Sequence, residues 1–260
     1  MRLRPKLFFK EAVLFAATMA LGIFTAYRYS LMPNAVQLPE IKFSFWDVLF
    51  MAVIILFFVF APRYKRVAKF SFKFFLVFVV FAGSQIIAGA FLNPPLDLVA
   101  AVVAVLVFIF CRNVLVHNIG IILGIAGIAS VLGLAISPKT ALFLLIILSF
   151  YDILAVYVTK HMVAMAKNMI ESGAPFGFII PSKSEQPMIL GSGDVGLPLI
   201  LACSLVGLYV SEAIIVGLFS VAGLLLTHLI FVNQKVRKPM AALPPIATMA
   251  IVGYLISLLI

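Results

Sequence analysis

Apolar residues in this chain occur in long runs separated by short polar segments, and these runs predict its architecture. Nine runs are near the roughly 20 residues that a helix needs to cross a bilayer. The expected spans are Glu11–Tyr29, Ser44–Ala61, Phe74–Leu92, Leu96–Phe110, Val114–Ile136, Thr140–Tyr157, Ile189–Val210, Glu212–Val232 and Met240–Leu259. Unbroken runs favour helices over a membrane β-barrel, whose strands are short and alternating. The pattern predicts an all-α polytopic membrane protein with nine transmembrane helices.

The spans are expected to form a single membrane domain over residues 1–260. Helices one to six cover about 11–157, a loop covers about 158–188, and helices seven to nine cover about 189–259. Glycines and prolines in the loop interrupt helical periodicity. Between them lies Phe176-Gly177-Phe178-Ile179-Ile180, a short apolar run of strand-forming residues. A segment resting on the bilayer surface and a functional strand are both compatible with this run.

Composition supports the membrane assignment. The 260-residue chain is 65% hydrophobic and 11% charged, whereas a soluble domain is usually about 45–50% apolar. The net charge of +10 does not indicate a nucleic-acid partner, because the basic residues lie in short loops between apolar runs. We expect Cys111 and Cys203 to be small apolar residues, and the three histidines lack metal-ligand spacing. The sequence therefore predicts no metal and no cofactor.

The basic residues also predict the orientation. Sixteen of the 19 Lys and Arg residues fall in the N-terminal segment and the even-numbered loops, and only Arg28, Lys42 and Lys139 fall on the other side. Cytoplasmic loops carry an excess of Lys and Arg. The N-terminus is therefore expected in the cytoplasm and the C-terminus outside, in a multi-pass integral protein of the cell membrane.

Two acids lie well inside the expected spans. Asp152 is eight positions before Lys160, roughly 12 Å below the cytoplasmic end of the sixth span. Asp194 is six positions after Met188, roughly 9 Å below the same surface in the seventh span. Adjacent antiparallel helices would bring both carboxyls to one level. The other acids are expected in loops or near span ends; they are Glu11, Glu40, Asp47, Asp97, Glu171, Glu185 and Glu212.

Two functions are compatible with paired intramembrane acids. An ionised acid in the bilayer is costly, so such residues are functional candidates, and a proton or cation pathway in a transporter is one use of them. Two facing carboxyls can instead share one proton, so that one takes a proton from water while the other donates to a scissile carbonyl. The acids alone favour the transporter, and a structural membrane protein is a third possibility.

The motifs around the acids change this ranking. Tyr151-Asp152 in one span and Gly191-Ser192-Gly193-Asp194 in the next resemble the YD and GxGD signatures of the presenilin and signal peptide peptidase family. The resemblance covers nearly the whole chain, because that family also has nine spans with its acids on the sixth and seventh. The orientation that the charge pattern predicts, with a cytoplasmic N-terminus, resembles that of presenilins. The chain lacks the large hydrophilic loop of eukaryotic presenilins and resembles a compact archaeal homologue.

A third family element is a Pro-Ala-Leu motif before the last helix. The matching stretch is Ala241-Ala242-Leu243-Pro244-Pro245, in which Ala242, Leu243 and Pro244 fit the pattern and Ala241 replaces the family proline. In the family this segment lies beside the acids and helps to hold substrate. Without the acid motifs, an ordinary helix start is the preferred interpretation of this stretch.

The resemblance implies an intramembrane aspartyl protease that cleaves transmembrane helices or remnant signal peptides. Asp152 and Asp194 would be the catalytic pair, supported by Tyr151, Gly191 and Gly193. Because an unwound substrate needs partners for its backbone in the membrane, a strand edge is expected to receive it. Candidate substrate-binding residues are Phe178, Ile179, Ala242, Leu243 and Pro244. The expected partners are transmembrane-helix peptides and membrane lipid, and the alternative function is a proton- or cation-coupled transporter, although no internal repeat supports it.

Overall fold

The computed structural model of the protein describes residues 5–32, 65–111, 113–159, 166, 169–171, 173–181, 188–234 and 239–259. Within these residues the chain is helical apart from one two-stranded hairpin. The helices are α1 Pro5–Ser30, α2 Lys65–Gly89, α3 Leu96–Phe110, α4 Val114–Ala135, α5 Pro138–Ile153, α6 Ser192–Val206, α7 Val210–Val232 and α8 Leu243–Ser257. The hairpin strands are β1 Gly177–Ile180 and β2 Met188–Gly191.

In the described part of the chain, five helices are long and apolar enough to cross a membrane. They are α1, α4, α7, the Phe70–Gly89 part of α2, and α5 with its continuation to Val158. The other three, α3, α6 and α8, are apolar but shorter. The predicted span Ser44–Ala61 lies outside the described residues.

The predicted spans agree well with the helices in most of the described chain, and α3 has the predicted bounds. The start of the predicted seventh span is wrong. Residues Ile189–Gly191 belong to β2, and helix α6 begins only at Ser192. A short apolar run with a β-branched residue fits a buried strand as well as a helix, so hydropathy did not separate the two. The last helix likewise begins at Leu243 instead of Met240.

Local capping explains two of the helix starts around the site. Asn113 caps the start of α4, where its side chain accepts a hydrogen bond from the backbone amide of Leu115. The side chain of Ser137 accepts one from the Thr140 amide and begins α5, with Pro138 at the first helical position. Both are favoured cap chemistries, because the first amides of a helix lack partners within it.

Helix α6 lies at the centre of the bundle. It packs against α1, α4, α5, α7 and α8, and the side chains of Leu199, Leu201 and Cys203 are fully buried. A helix that is apolar all round is typical of such a position. On the periphery, α3 has Ala101 as its buried residue and exposes most of its apolar side chains. Those exposed side chains form a surface suited to lipid.

The hairpin lies where the loop meets α6. Its strands are antiparallel, with Gly177 opposite Gly191 and Phe178 opposite Leu190. Phe178 and Ile180 are fully buried, and β1 packs against α1 and α4. Of the strand-forming run Phe176–Ile180, whose structure the sequence left open, residues Gly177–Ile180 form a strand. Because β2 continues directly into α6, the hairpin is fixed next to the first turn of that helix.

Candidate active site

Asp152 lies near the end of the α-helical part of α5, immediately before a π-helical turn over Leu154–Val158. Its side chain is 6% exposed. The backbone amide of Leu243 donates a hydrogen bond to Asp152 Oδ2 over 3.4 Å. Single π turns inside helices are frequent at functional sites. The first acid is thus buried and held by a backbone donor from the start of α8.

Asp194 lies in the first turn of α6 and is half-buried. The backbone amide of Gly191 contacts its carboxyl. A Cβ atom placed on Gly191 would lie 2.9 Å from Asp194 Oδ2, closer than side-chain carbons normally come. The first glycine of the motif therefore leaves the space that this carboxyl occupies. In contrast, a Cβ on Gly193 would meet none of the described residues within 4 Å.

The two carboxyls are brought together by the packing of α5 against α6. They are close enough to interact electrostatically with each other. Helix α8 packs against both of these helices and supplies the Leu243 amide. Helix lengths alone predict both acids at one depth, and in the structure their side chains come to one site. Tyr151, next to Asp152, is 56% exposed and faces out from the helix packing.

The segment before α8 contacts Asp152 and α7 through backbone hydrogen bonds. Leu243 is 3% exposed, so its side chain belongs to the core while its amide faces Asp152. The carbonyl oxygen of Ala242 accepts a hydrogen bond from Thr227 Oγ1 over 3.4 Å. Pro244 and Pro245 lie in the first turn of α8, where a missing amide hydrogen costs nothing. These contacts hold the segment against α7 on one side and Asp152 on the other.

One edge of the hairpin is already occupied. The Ser192 amide donates a hydrogen bond to the Phe176 carbonyl. Hydrogen-bonded and non-hydrogen-bonded pairs alternate along an antiparallel ladder, so the Phe178–Leu190 pair is also hydrogen-bonded. The backbone amide and carbonyl of Ile179, which lies between these pairs and Ile180, therefore point away from β2. The outward amide and carbonyl of Ile179 both bond the side chain of Asn118. Phe178 and Ile179 were predicted to bind substrate. In this structure Phe178 is buried, and the backbone groups of Ile179 that a substrate strand would pair with are bonded to Asn118.

The opposite edge belongs to β2. By the same alternation, the amide and carbonyl of Ile189 face away from β1. Among the described residues, neither group has a hydrogen-bond partner. With respect to the residues that the structure describes, the open side of the hairpin is therefore β2, the strand that runs into the turn carrying Asp194.

A family model described as "Signal-peptide peptidase, presenilin aspartyl protease" matches residues 48–260. The chain belongs to this family. It is an intramembrane aspartyl protease, and the transporter alternative is not favoured. No curated protein matches the sequence.

Solved structures show the same fold. Two of them are described as a presenilin family intramembrane aspartate protease, in C222 and P2 space groups. The first is 23% identical with a TM-score of 0.63, and 94% of each chain is covered. The second is 24% identical with a TM-score of 0.61, covering 94% of this chain and 96% of that one. This protease therefore has a presenilin-like fold.

Sequence reasoning missed one buried acid. Glu11 was expected near a span end, but it is 1% exposed inside the packed part of α1. Its Oε2 atom lies 2.8 Å from Nδ1 of the fully buried His228 on α7. The two residues are 217 positions apart, so no local pattern connects them. Thr227, next to His228, is the residue that bonds Ala242, so this pair lies close to the segment before α8.

Asn118 was also missed. It follows His117 near the start of α4, in a helix otherwise rich in apolar and small residues. An amide side chain that is 7% exposed in such a helix needs hydrogen-bond partners. That requirement was the available signal, although the sequence alone could not say which segment supplies them.

Proposed function

We propose that Asp152 and Asp194 form the catalytic dyad of this protease. The observation that carries the proposal is their electrostatic proximity at the junction of α5 and α6, with a backbone amide on each carboxyl. Carboxyls this near each other in a shielded site share one proton, and their titration belongs to the pair. The pair can then act as acid and base in the same step.

The reaction proposed is hydrolysis of a peptide bond by water. The ionised carboxyl takes a proton from water, whose oxygen attacks the scissile carbonyl carbon, while the protonated carboxyl donates its proton to the carbonyl oxygen. The resulting tetrahedral diol collapses when the C–N bond breaks. One carboxyl takes the proton from a diol hydroxyl and the other protonates the leaving nitrogen, so the dyad ends with one proton, as it began.

The substrates proposed are transmembrane helices or remnant signal peptides. A helical peptide uses its own amides and carbonyls internally, so it must unwind before its backbone reaches the dyad. In a membrane the freed groups need new partners. The outward amide and carbonyl of Ile189 supply them, and an added strand would lie about 4.8 Å from β2.

The segment before α8 is proposed as the second boundary of the substrate channel. The Leu243 amide is taken by Asp152, but among the described residues no backbone partner meets the amides of Ala241 and Ala242. A peptide paired with β2 and flanked by this segment would pass beside both acids. Gly193, where an added Cβ would meet none of the described residues within 4 Å, lies on the same turn as Asp194.

A direct test uses purified protein in detergent and a transmembrane-helix peptide with a fluorophore and quencher at its ends. Cleavage is expected, and an aspartyl-protease transition-state analogue should abolish it. An inhibitor of serine or metalloproteases should leave the rate unchanged. Cleavage that persists with saturating analogue would contradict the dyad chemistry.

The topology proposed is a cell-membrane protein with nine spans, its N-terminus in the cytoplasm and its C-terminus outside. It is supported by the excess of Lys and Arg on one side of the predicted spans. In single-cysteine variants, position 183 should react with an impermeant thiol reagent only after the cytoplasmic side is opened. Position 139 should react in intact cells. The reverse pattern would overturn the orientation.

A further inference from the structure

The carboxamide of Asn118 closes the outer edge of β1. Its Nδ2 donates a hydrogen bond to the Ile179 carbonyl over 2.9 Å, and its Oδ1 accepts one from the Ile179 amide, also over 2.9 Å. A residue of a neighbouring β-strand makes the same two bonds. One helical side chain therefore takes the place of a third strand at this position.

His117 extends this closure by one outward position. Its Nε2 atom lies 3.1 Å from the Gly177 carbonyl, which can only accept a hydrogen bond, so Nε2 is the donor. The imidazole is packed against the ring of Phe108, with centroids 5.9 Å apart. Both contacts come from the first turns of α4, which α2, α1 and α6 hold in the bundle.

Closing one edge determines where a further strand can add. Unpaired strand edges are sites of strand addition, and a hairpin in a substrate channel has two of them. With Asn118 and His117 on β1, an unwound substrate finds open backbone groups on β2. Because β2 leads through Gly191 into the turn of Asp194, a strand added at that edge presents a peptide bond to the dyad.

The same contacts fix the hairpin along its own direction. Both hydrogen bonds are made by the backbone of one residue, Ile179. If β1 slipped by one residue along α4, the amide and carbonyl of Ile179 would turn away from Asn118, and a buried side chain of β1 would turn to the exposed face. The chain through Gly191 ties the hairpin to Asp194, whereas Asp152 lies on a separate helix, α5, so the position of the hairpin relative to Asp152 depends on how it packs. A hairpin that shifts on α4 would therefore present a different substrate bond to the dyad.

We propose that Asn118 is a positioning residue that directs substrate to β2 and sets which peptide bond is cleaved. This role rests on the proposed function, namely strand addition beside the Asp152–Asp194 dyad. Asn118 acts through the hairpin, because both hydrogen bonds of its side chain go to Ile179. Its loss changes where and how efficiently a helical substrate is cut, while the acids themselves remain in place.

The test compares Asn118→Leu with Ser130→Ala in full-length protein. The leucine has nearly the same size and removes both hydrogen bonds to Ile179. Ser130 is a matched control, since it is buried in the same helix and bonds only the Gly127 carbonyl of its own turn. Asn118→Asp is a third variant that keeps an acceptor for the Ile179 amide but loses the donor to its carbonyl.

Three measurements are made on each variant: kcat/KM with a transmembrane-helix peptide, the cleavage positions by mass spectrometry, and the affinity for a dyad-directed transition-state analogue. For Asn118→Leu we expect kcat/KM to fall about tenfold or more, because a buried amide and carbonyl lose their partners. We expect products cut at neighbouring bonds as well, and analogue affinity within about threefold of wild type. Asn118→Asp should lie between these values, and Ser130→Ala should match wild type.

Two outcomes would overturn the positioning role. One is wild-type kcat/KM with a single unchanged cleavage position in Asn118→Leu. The other is a parallel loss of activity, analogue affinity and thermal stability, which would make Asn118 a general structural residue. Neither outcome bears on the dyad, whose failure would appear as cleavage that the analogue does not inhibit.

Discussion

The backbone amide of Leu243 donates a hydrogen bond to Oδ2 of Asp152 in a buried setting. The residues are 91 positions apart and lie on different helices, α8 and α5. This bond gives the segment at the start of the last helix a physical role in this chain. The segment orients a proposed catalytic carboxyl through its backbone, whatever its side chains contribute to substrate binding.

Replacing Leu243 by proline should lower kcat by about tenfold or more, since a hydrogen bond to a charged group contributes about 1.5–3 kcal/mol. Proline suits the first position of a helix, so α8 should persist. Leu243→Ala is the control, because it keeps the amide and removes the buried side chain. Steady-state kinetics should show a larger loss for proline than for alanine; equal losses would assign the effect to packing and remove the amide from the mechanism.

Gly191→Ala should reduce cleavage while the protein still folds. The added methyl group would lie 2.9 Å from Asp194 Oδ2, so the carboxyl or the strand must shift. Gly196→Ala is a matched control in the adjoining helix α6, where the new Cβ finds its nearest neighbour, Ile125 Cγ2, at an ordinary 3.6 Å. Cleavage assays and thermal denaturation of both variants decide the point. Wild-type cleavage by Gly191→Ala would show that the carboxyl tolerates this displacement.

Ile189→Pro should impair cleavage of a helical substrate by removing the outward amide of β2, without breaking a bond of the β1–β2 ladder. Ile189→Ala keeps that amide and serves as the control. Binding of a small dyad-directed inhibitor should survive better than proteolysis in the proline variant. Ile179→Pro should also cut proteolysis, but in this structure it does so by breaking the bond to Asn118. If Ile189→Pro cleaves at the wild-type rate, β2 is not the pairing edge.

Much of this fold could be predicted from hydropathy because most of its helices are single apolar runs. Val114–Ala135 and Leu96–Phe110 agree with the predicted spans to within a residue. Hydropathy failed at Ile189, because a short apolar run has no period long enough to separate a strand from a helix end. Pairing with Phe178 and its neighbours, rather than local preference, makes this stretch a strand.

In the candidate site, too, the acids could be predicted from local sequence, whereas the contacts that hold them could not. Asp152 and Asp194 were predicted because acids are rare and costly inside apolar spans. The bonds from Leu243 to Asp152 and from Asn118 to Ile179 join residues distant in sequence, and no local pattern specifies them. The burial of Glu11 was missed for a related reason. Its partner His228 lies on another helix, so an acid near a span boundary gave no sign that it was buried.

The rate of cleavage should follow a bell-shaped dependence on pH. At low pH both carboxyls are protonated and neither can take a proton from water; at high pH both are ionised and neither can donate one. The maximum lies between the two macroscopic pKa values of the pair. The profile is measured as kcat/KM with a peptide whose own groups do not titrate in the range. A flat profile from acid to neutral pH would argue against one shared proton.

The most direct measurement of the dyad is the cleavage rate of Asp152→Asn and Asp194→Asn in the same detergent and with the same transmembrane-helix peptide. An amide keeps the shape of the carboxyl but cannot exchange the proton. We predict that each variant folds with a melting temperature near wild type and that its rate falls below about one-hundredth of wild type. Substantial cleavage by either folded variant would contradict catalysis by Asp152 and Asp194.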